Sequence, residues 1–249
     1  MALIQARMLR LRGSTLPLRI FHDGHAGTLD DPLTELVDVR TLWGDRRRQG
    51  AWETKSWAIL NSGFRRCLWL DADAYPVSDP RPAFELLLTA PFVFWNDLHR
   101  DPSLINWYAL GIPEGGAPVQ SGHMLFDVAG AAKLLETVDW LGQRSDYYYQ
   151  HVGYGDQDAF IVGLAAGTSP WRMLTDVTAH RFAYVIGRED CPLFVHRFRK
   201  IYNDEMPRWD MVLPGERDVQ AIFHEIVPGY RRLLKKPCGK RKNVQITKI

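Results

Sequence analysis

The chain has 249 residues, 46% of them apolar and 24% charged, with a net charge of +2. This is the composition of a soluble globular protein with room for one large α/β core, and it excludes a disordered or collagen-like chain. The near-neutral balance gives no electrostatic case for a nucleic-acid partner.

Cys67, Cys191 and Cys238 are far apart and odd in number, so they fit neither a zinc site nor a disulfide framework. No apolar run reaches the ~20 residues that cross a bilayer. Arg7, Arg10 and Arg12 interrupt any signal-peptide pattern, so the expected location is cytoplasmic.

Taken in chain order, residues 2–12 carry Ala2, Leu3, Ala6 and Leu9 at near-helical spacing, with Gly13 as the stop. Leu16 to Phe21 reads as a strand, and Leu36 to Val39 as another. Trp52 to Leu60 reads as a helix ended by Asn61-Ser62-Gly63. Cys67-Leu68-Trp69-Leu70 is an apolar run halted at Asp71, the pattern of a buried strand. Ala83 to Thr89 reads as a helix and Phe92 to Trp95 as a second buried strand, halted at Asn96-Asp97. Gly111 to Pro118 is a loop. Gly122 to Asp127 is a third strand, followed by a helix from about Ala129 to Leu141. Gln157 to Ala166 is helical in pattern, and Leu193-Phe194-Val195 is a short strand ending at His196.

Strands alternating with helices predict an α/β domain with a largely parallel sheet over residues 1–228, followed by a basic appendage over 229–249. Arg231, Arg232, Lys235, Lys236, Lys240, Arg241 and Lys242 crowd that end. They form either a solvated tail or a patch attracted to a diphosphate or to an anionic surface, such as a peripheral membrane contact.

In open α/β sheets, ligands bind beyond the carboxyl ends of the strands. Asp71-Ala72-Asp73, Asn96-Asp97 and His196 all stand at such ends. Positions two apart in extended chain share a face, so Asp71 and Asp73 can approach one cation. That cation would relieve their mutual repulsion. Oxygen ligands suit Mg²⁺ or Mn²⁺ bridging phosphates, and an imidazole tilts the choice to Mn²⁺. The alternative is a solvated acidic turn.

Gly155-Asp156-Gln157-Asp158 is a second acidic cluster. Asp156 or Asp158 either caps the following helix or serves a sugar's hydroxyls or anomeric carbon. Gln120-Ser121-Gly122 is either an ordinary turn or part of the site. His196 sits among Arg197, Arg199 and Lys200, cations that suit a diphosphate. Lys55, between Trp52 and Trp57, is either a snorkelling surface lysine or a phosphate or sugar contact.

Together these stretches resemble a known family. The segment WETKSWAILNSGFRRCLWLDADAYPVSDP resembles the core of GT-A-fold glycosyltransferases, most nearly the fungal-type α-mannosyltransferases that build mannan side chains. Phe94-Trp95-Asn96-Asp97, Gln120-Ser121-Gly122 through Asp127, and Gly155-Asp156-Gln157-Asp158-Ala159-Phe160 match later family segments. Glycogenin-like enzymes share a looser version.

The resemblance implies transfer of a hexose, typically mannose from GDP-mannose, to a glycan or other hydroxyl acceptor with retention. It implies that Asp71 and Asp73 bind Mn²⁺ and the donor diphosphate and that His196 is the third metal ligand. It further implies that Asp97, Gln120 and Asp156 contact the donor sugar or the acceptor. Two departures accompany it. The family fold opens with a strand before the first helix, and that strand is missing from this sequence. The family's membrane anchor is also absent, which points to a bacterial or viral cytoplasmic enzyme. Two other functions compete: a metal-dependent nucleotidyltransferase or phosphohydrolase, and a degenerate GT-A domain that only binds.

Overall fold

A computed structural model describes residues 2–24, 29–42, 52–153, 155–180, 183–197 and 213–226. The chain opens with helix α1 (Ala2–Leu11), which buries Ile4, Ala6, Met8 and Leu9 on one face. Gly13, at φ 72°, turns the chain out of it. Strands β1 (Leu18–His22) and β2 (Thr34–Asp38) follow, then helices α2 (Val39–Leu42) and α3 (Thr54–Leu60). Next come β3 (Arg66–Leu70), β4 (Ala74–Pro76), a 3-10 helix (Arg81–Leu88) and β5 (Phe92–Asn96). Helix α4 (Trp107–Leu110), β6 (Val119–Asp127), α5 (Ala132–Gly142), α6 (Ser145–Tyr148) and α7 (Gly155–Ala165) continue the order. The last described elements are β7 (Trp171–Leu174), β8 (Val177–His180), β9 (Ala183–Arg188), β10 (Cys191–Arg197) and α8 (Glu216–Ile226).

The strands form three groups. β1 and β2 pair in parallel; β3-β6-β5-β7 is the central sheet; β4-β10-β9-β8 is a second, antiparallel sheet. The α/β class expected from the sequence holds, but the parallel character was overestimated. Only β1–β2 and β5–β7 pair in parallel among the described strands. β6 lies antiparallel between β3 and β5, and alternation of apolar runs carries no sign of strand direction. Because both neighbours oppose β6, β3 and β5 run the same way. Their carboxyl ends therefore share one sheet edge, as the strand-end argument required.

The core is aromatic. Phe92 stacks on Phe94, Phe126 and Phe160 with ring centroids 5.0, 4.9 and 5.8 Å apart. All four are fully buried. Helices α5 and α7 cover this face. Gly163 allows the close pass, since a Cβ there would lie 2.6 Å from a Leu134 methyl. β5 and β6 are buried almost throughout. β3 is not: only Cys67 is buried, while Leu68, Trp69 and Leu70 are half-exposed. The expected buried strand is instead one with an open edge.

The expected helix over 83–89 is 3-10 in geometry. β6 starts at Val119, so Gln120 and Ser121 belong to the strand rather than to a turn before it. No helix among the described residues is long and apolar enough to cross a membrane. The basic appendage over 229–249 lies outside the described residues.

Candidate metal and sugar-nucleotide site

The site is built where β3 ends. Asp71 follows β3 and its backbone N–H donates to Gly122 O on β6 (2.8 Å). Ala74 N donates back to Asp71 O (2.9 Å), so residues 71–74 form a tight turn into β4. Gln5, buried on α1, donates its side-chain amide to the carbonyls of Asp71 and Ala74 and clamps this turn. β4 then pairs with β10 in the register Ala74↔His196. This pairing brings an imidazole from 123 residues downstream against the two acids.

Ligand atoms of Asp71, Asp73 and His196 all lie within 4.8 Å of one another. His196 Nε2 is 3.3 Å from Asp73 Oδ1. The side chain of Asp73 is 44% exposed and that of His196 only 9%. The cluster is thus open to a ligand on the Asp73 side and rigid on the other. Burial raises the Asp73 carboxyl's pKa, but the hydrogen bond and charge of His196 outweigh it, leaving a net fall. Two carboxylates and one imidazole within this span fit one divalent cation of the Mn²⁺ or Mg²⁺ type.

Gly122 makes room for the imidazole. A Cβ on that residue would lie 2.3 Å from His196 Cε1. Behind it, His123 is fully buried, with neither ring nitrogen hydrogen-bonded. Its ring meets His196 edge to face at 5.6 Å and Trp95 at 5.5 Å. Burial, then the charges of His196 and Lys55, push the His123 pKa well below its ordinary value. His123 therefore packs as a neutral ring.

Lys55 is not a surface lysine. Its side chain is 7% exposed, and its Nζ lies 2.9 Å from Asp71 Oδ1 and 2.5 Å from Asp156 Oδ2. The same ammonium donates to Ser121 O (2.9 Å) and Ser121 Oγ (3.2 Å). Burial lowers its pKa, yet Asp156 and Asp71 more than offset this and hold it above the usual lysine value. Asp156 moves upward, through burial and the repulsion of Asp71, with Lys55 opposing. Trp69 Nε1 donates to Asp71 Oδ1 (2.7 Å) and fixes that carboxylate further. Helix α7 begins at Gly155 (φ 53°), seated on the Trp52 ring, and delivers Asp156 from its first turn.

Asp97, after β5, is buried in a polar knot. Its Oδ1 accepts from Tyr184 Oη and His99 N, both 2.8 Å away. Its Oδ2 accepts from Gln157 Nε2 (2.7 Å) and, more distantly, Gln120 Nε2 (3.4 Å). Gln120 Oε1 in turn accepts from Gly122 N (2.7 Å). Gln157 and Tyr184 were missed in the sequence. Gln157 lies between two acids, and an uncharged amide there carries no sign that marks it as a site residue. Tyr184 lies on β9, a strand with no local sign of its destination.

Asp158 is placed away from the metal cluster's three ligands, against Arg100. Its side chain is fully buried, Arg100 binds it with Nε at 2.6 Å and Nη2 at 2.8 Å, and Gly153 N adds 2.8 Å. This ion pair holds the 97–101 turn to α7 and engages both carboxylate oxygens. Lys200 and Arg199 fall outside the described residues.

One comparison with known proteins bears on the fold. No protein-family model matches the chain, and no curated protein matches it. Among solved structures, an active-site mutant of LgtC superposes with a TM-score of 0.59 at 13% identity, covering 92% of this chain and 94% of that one. The galactosyltransferase LgtC with donor and acceptor sugar analogues gives 0.48 at 14% identity, over 68% of this chain and 67% of that one. The fold is the GT-A fold of LgtC.

Proposed function

We propose that this chain is a metal-dependent glycosyltransferase that moves a hexose from a nucleoside diphosphate sugar to a glycan or other hydroxyl acceptor, with retention at the anomeric carbon. The observation that carries this reading is the convergence of Asp71, Asp73 and His196 at the sheet edge of a GT-A fold. Following the family resemblance, mannose from GDP-mannose is the first donor to test.

In this reading Asp71, Asp73 and His196 hold Mn²⁺ or Mg²⁺. When bound, that ion neutralises charge growing on the departing diphosphate. Lys55 keeps Asp71 and Asp156 at fixed positions and offsets their repulsion. This is a positioning role, since its ammonium already sits on two carboxylates and Ser121. Gln157 gives its amide nitrogen to Asp97, which leaves its carbonyl oxygen to face a sugar. Gln120 and Asp156 are the further sugar or acceptor contacts, and Asp97 orients the two amides.

The test is release of nucleoside diphosphate from GDP-mannose, UDP-galactose and UDP-glucose, with Mn²⁺ or with a chelator. One donor should turn over only with metal, and Asp73→Ala should lose about 100-fold or more. Equal release by that variant, or none from any donor, would reject the reading. NMR of the product linkage decides retention: an inverted product would count against it.

A further inference from the structure

Trp69, on β3, touches both charged partners at the head of the candidate site. Its Nε1 donates to Asp71 Oδ1 (2.7 Å), and Lys55 Nζ lies over its ring, 5.7 Å from the centroid. Positions two apart in extended chain share a face, so the indole can lie along the strand and reach the carboxylate that follows it. An indole nitrogen only donates and an ionised carboxylate only accepts, so this bond has one polarity and is charge-assisted.

The bond matters because nothing covalent fixes the carboxylate. Rotation of an Asp carboxyl about χ2 is broad and roughly two-fold, so its two oxygens exchange readily. Here they are distinguished. Oδ1 accepts from Trp69 Nε1 and lies 2.9 Å from Lys55 Nζ, whereas Oδ2 lies 3.2 Å from the same ammonium. Lys55 reaches both oxygens and barely tells them apart; the indole reaches one. Trp69 is itself held. It packs against the buried cluster of Val39, Trp57 and Ala58, and also against the main core around Ile59 and Cys67. It is half-exposed even so, since it forms part of the wall of a cavity of about 810 Å³. A ring that only filled this wall would need no N–H, yet the N–H here is directed at a candidate metal ligand.

We propose that Trp69 is a positioning residue for cation binding: its indole N–H sets the rotamer of Asp71 before any cation is bound. The outer partners of a metal site orient the groups that bind the ion, and their loss typically weakens binding about 10–100-fold. Trp69 has that relation to Asp71 and touches neither Asp73 nor His196 through a hydrogen bond. The inference rests on the metal reading above and adds to it a residue that the three-ligand cluster does not contain.

Two measurements on the full chain test it. The first is Mn²⁺ affinity by electron paramagnetic resonance for the unaltered chain, for Trp69→Phe, and for the chain carrying 3-benzothienylalanine at position 69. That isostere keeps the bicyclic ring and puts sulfur where the N–H stands. Both altered chains should bind Mn²⁺ at least about tenfold more weakly, and the isostere should keep the melting temperature of the unaltered chain. Full binding by both would overturn the inference and leave the metal reading standing. Weak binding by Trp69→Phe with full binding by the isostere would show that ring shape, not the N–H, is at work, and would overturn it too. No Mn²⁺ binding by the unaltered chain would defeat the metal reading itself, and this inference with it. The second measurement needs no metal. With ¹⁵N-labelled tryptophan, the Trp69 indole resonance is identified by its loss in Trp69→Phe. Asp71→Ala should shift that resonance and speed its solvent exchange at least about tenfold, with circular dichroism confirming the fold. An indole resonance that ignores the loss of Asp71 would overturn the inference.

Discussion

At the scale of single residues, the site depends on groups that carry no charge. His196 reaches Asp73 because Gly122 has no side chain: a methyl there would lie 2.3 Å from the imidazole. Gly122→Ala should displace the ring and weaken Mn²⁺ binding about tenfold or more while leaving the fold intact, as isothermal titration and circular dichroism would check. Unchanged affinity would mean that His196 is not a ligand. The acids Asp71 and Asp73 were legible in the sequence because an apolar run stops at them. Lys55 was legible only as a candidate, since nothing local shows that its ammonium is buried between two carboxylates. Asp158 misled for the same reason: charge at a helix start looks alike whether it faces a cleft or, as here, Arg100. Arg100→Met should cost about 3–5 kcal/mol in urea unfolding, because it strands a buried carboxylate. Adding Asp158→Leu should recover much of that loss. A cost below about 1 kcal/mol would contradict the buried-pair assignment.

Among the elements, apolar runs located β1, β3, β5 and β6 within a few residues. What they did not give was neighbour or direction. β6 lies antiparallel between β3 and β5, and a run of Val, Leu and Phe is the same in either sense. The antiparallel sheet of β4, β8, β9 and β10 was seen only at Leu193–Val195. β4 and β8 are only three and four residues long, and β9, though apolar and buried, gives no local sign of the partners it pairs with. Helix α1 is tied to the β1–β2 connection by Arg10 Nε and Asp31 Oδ2, 2.9 Å apart. Burial is the largest single influence on Asp31 and raises its pKa, but bonds from Thr34, the Leu33 amide and Arg10 together bring it below the usual carboxylate value. A carboxyl depressed in the folded state stabilises above its unfolded pKa, and that contribution is lost as pH falls through the folded value. Asp31→Asn should therefore lower the melting temperature at about pH 6, and the gap to the unaltered chain should narrow as acid protonates the folded-state carboxyl. A gap that stays constant through acid titration of the folded protein would show that the tie does not depend on the ionised carboxylate.

For the whole molecule, fold and function rest on different supports. The GT-A fold follows from superposition across most of the chain, at an identity too low to speak for chemistry. The proposed chemistry rests on the edge where three metal-type ligands meet the buried Lys55 of α3 and the amides of Gln120 on β6 and Gln157 on α7. Sequence order alone could suggest that these groups meet, but only the β4–β10 register shows how His196 arrives. The most direct test is Mn²⁺ electron paramagnetic resonance on the chain with GDP or UDP, alongside Asp73→Ala. One Mn²⁺ should bind per chain, more tightly with the matching nucleotide, and the variant should lose it. A spectrum of free Mn²⁺ with the unaltered chain, or equal binding by the variant, would contradict the account.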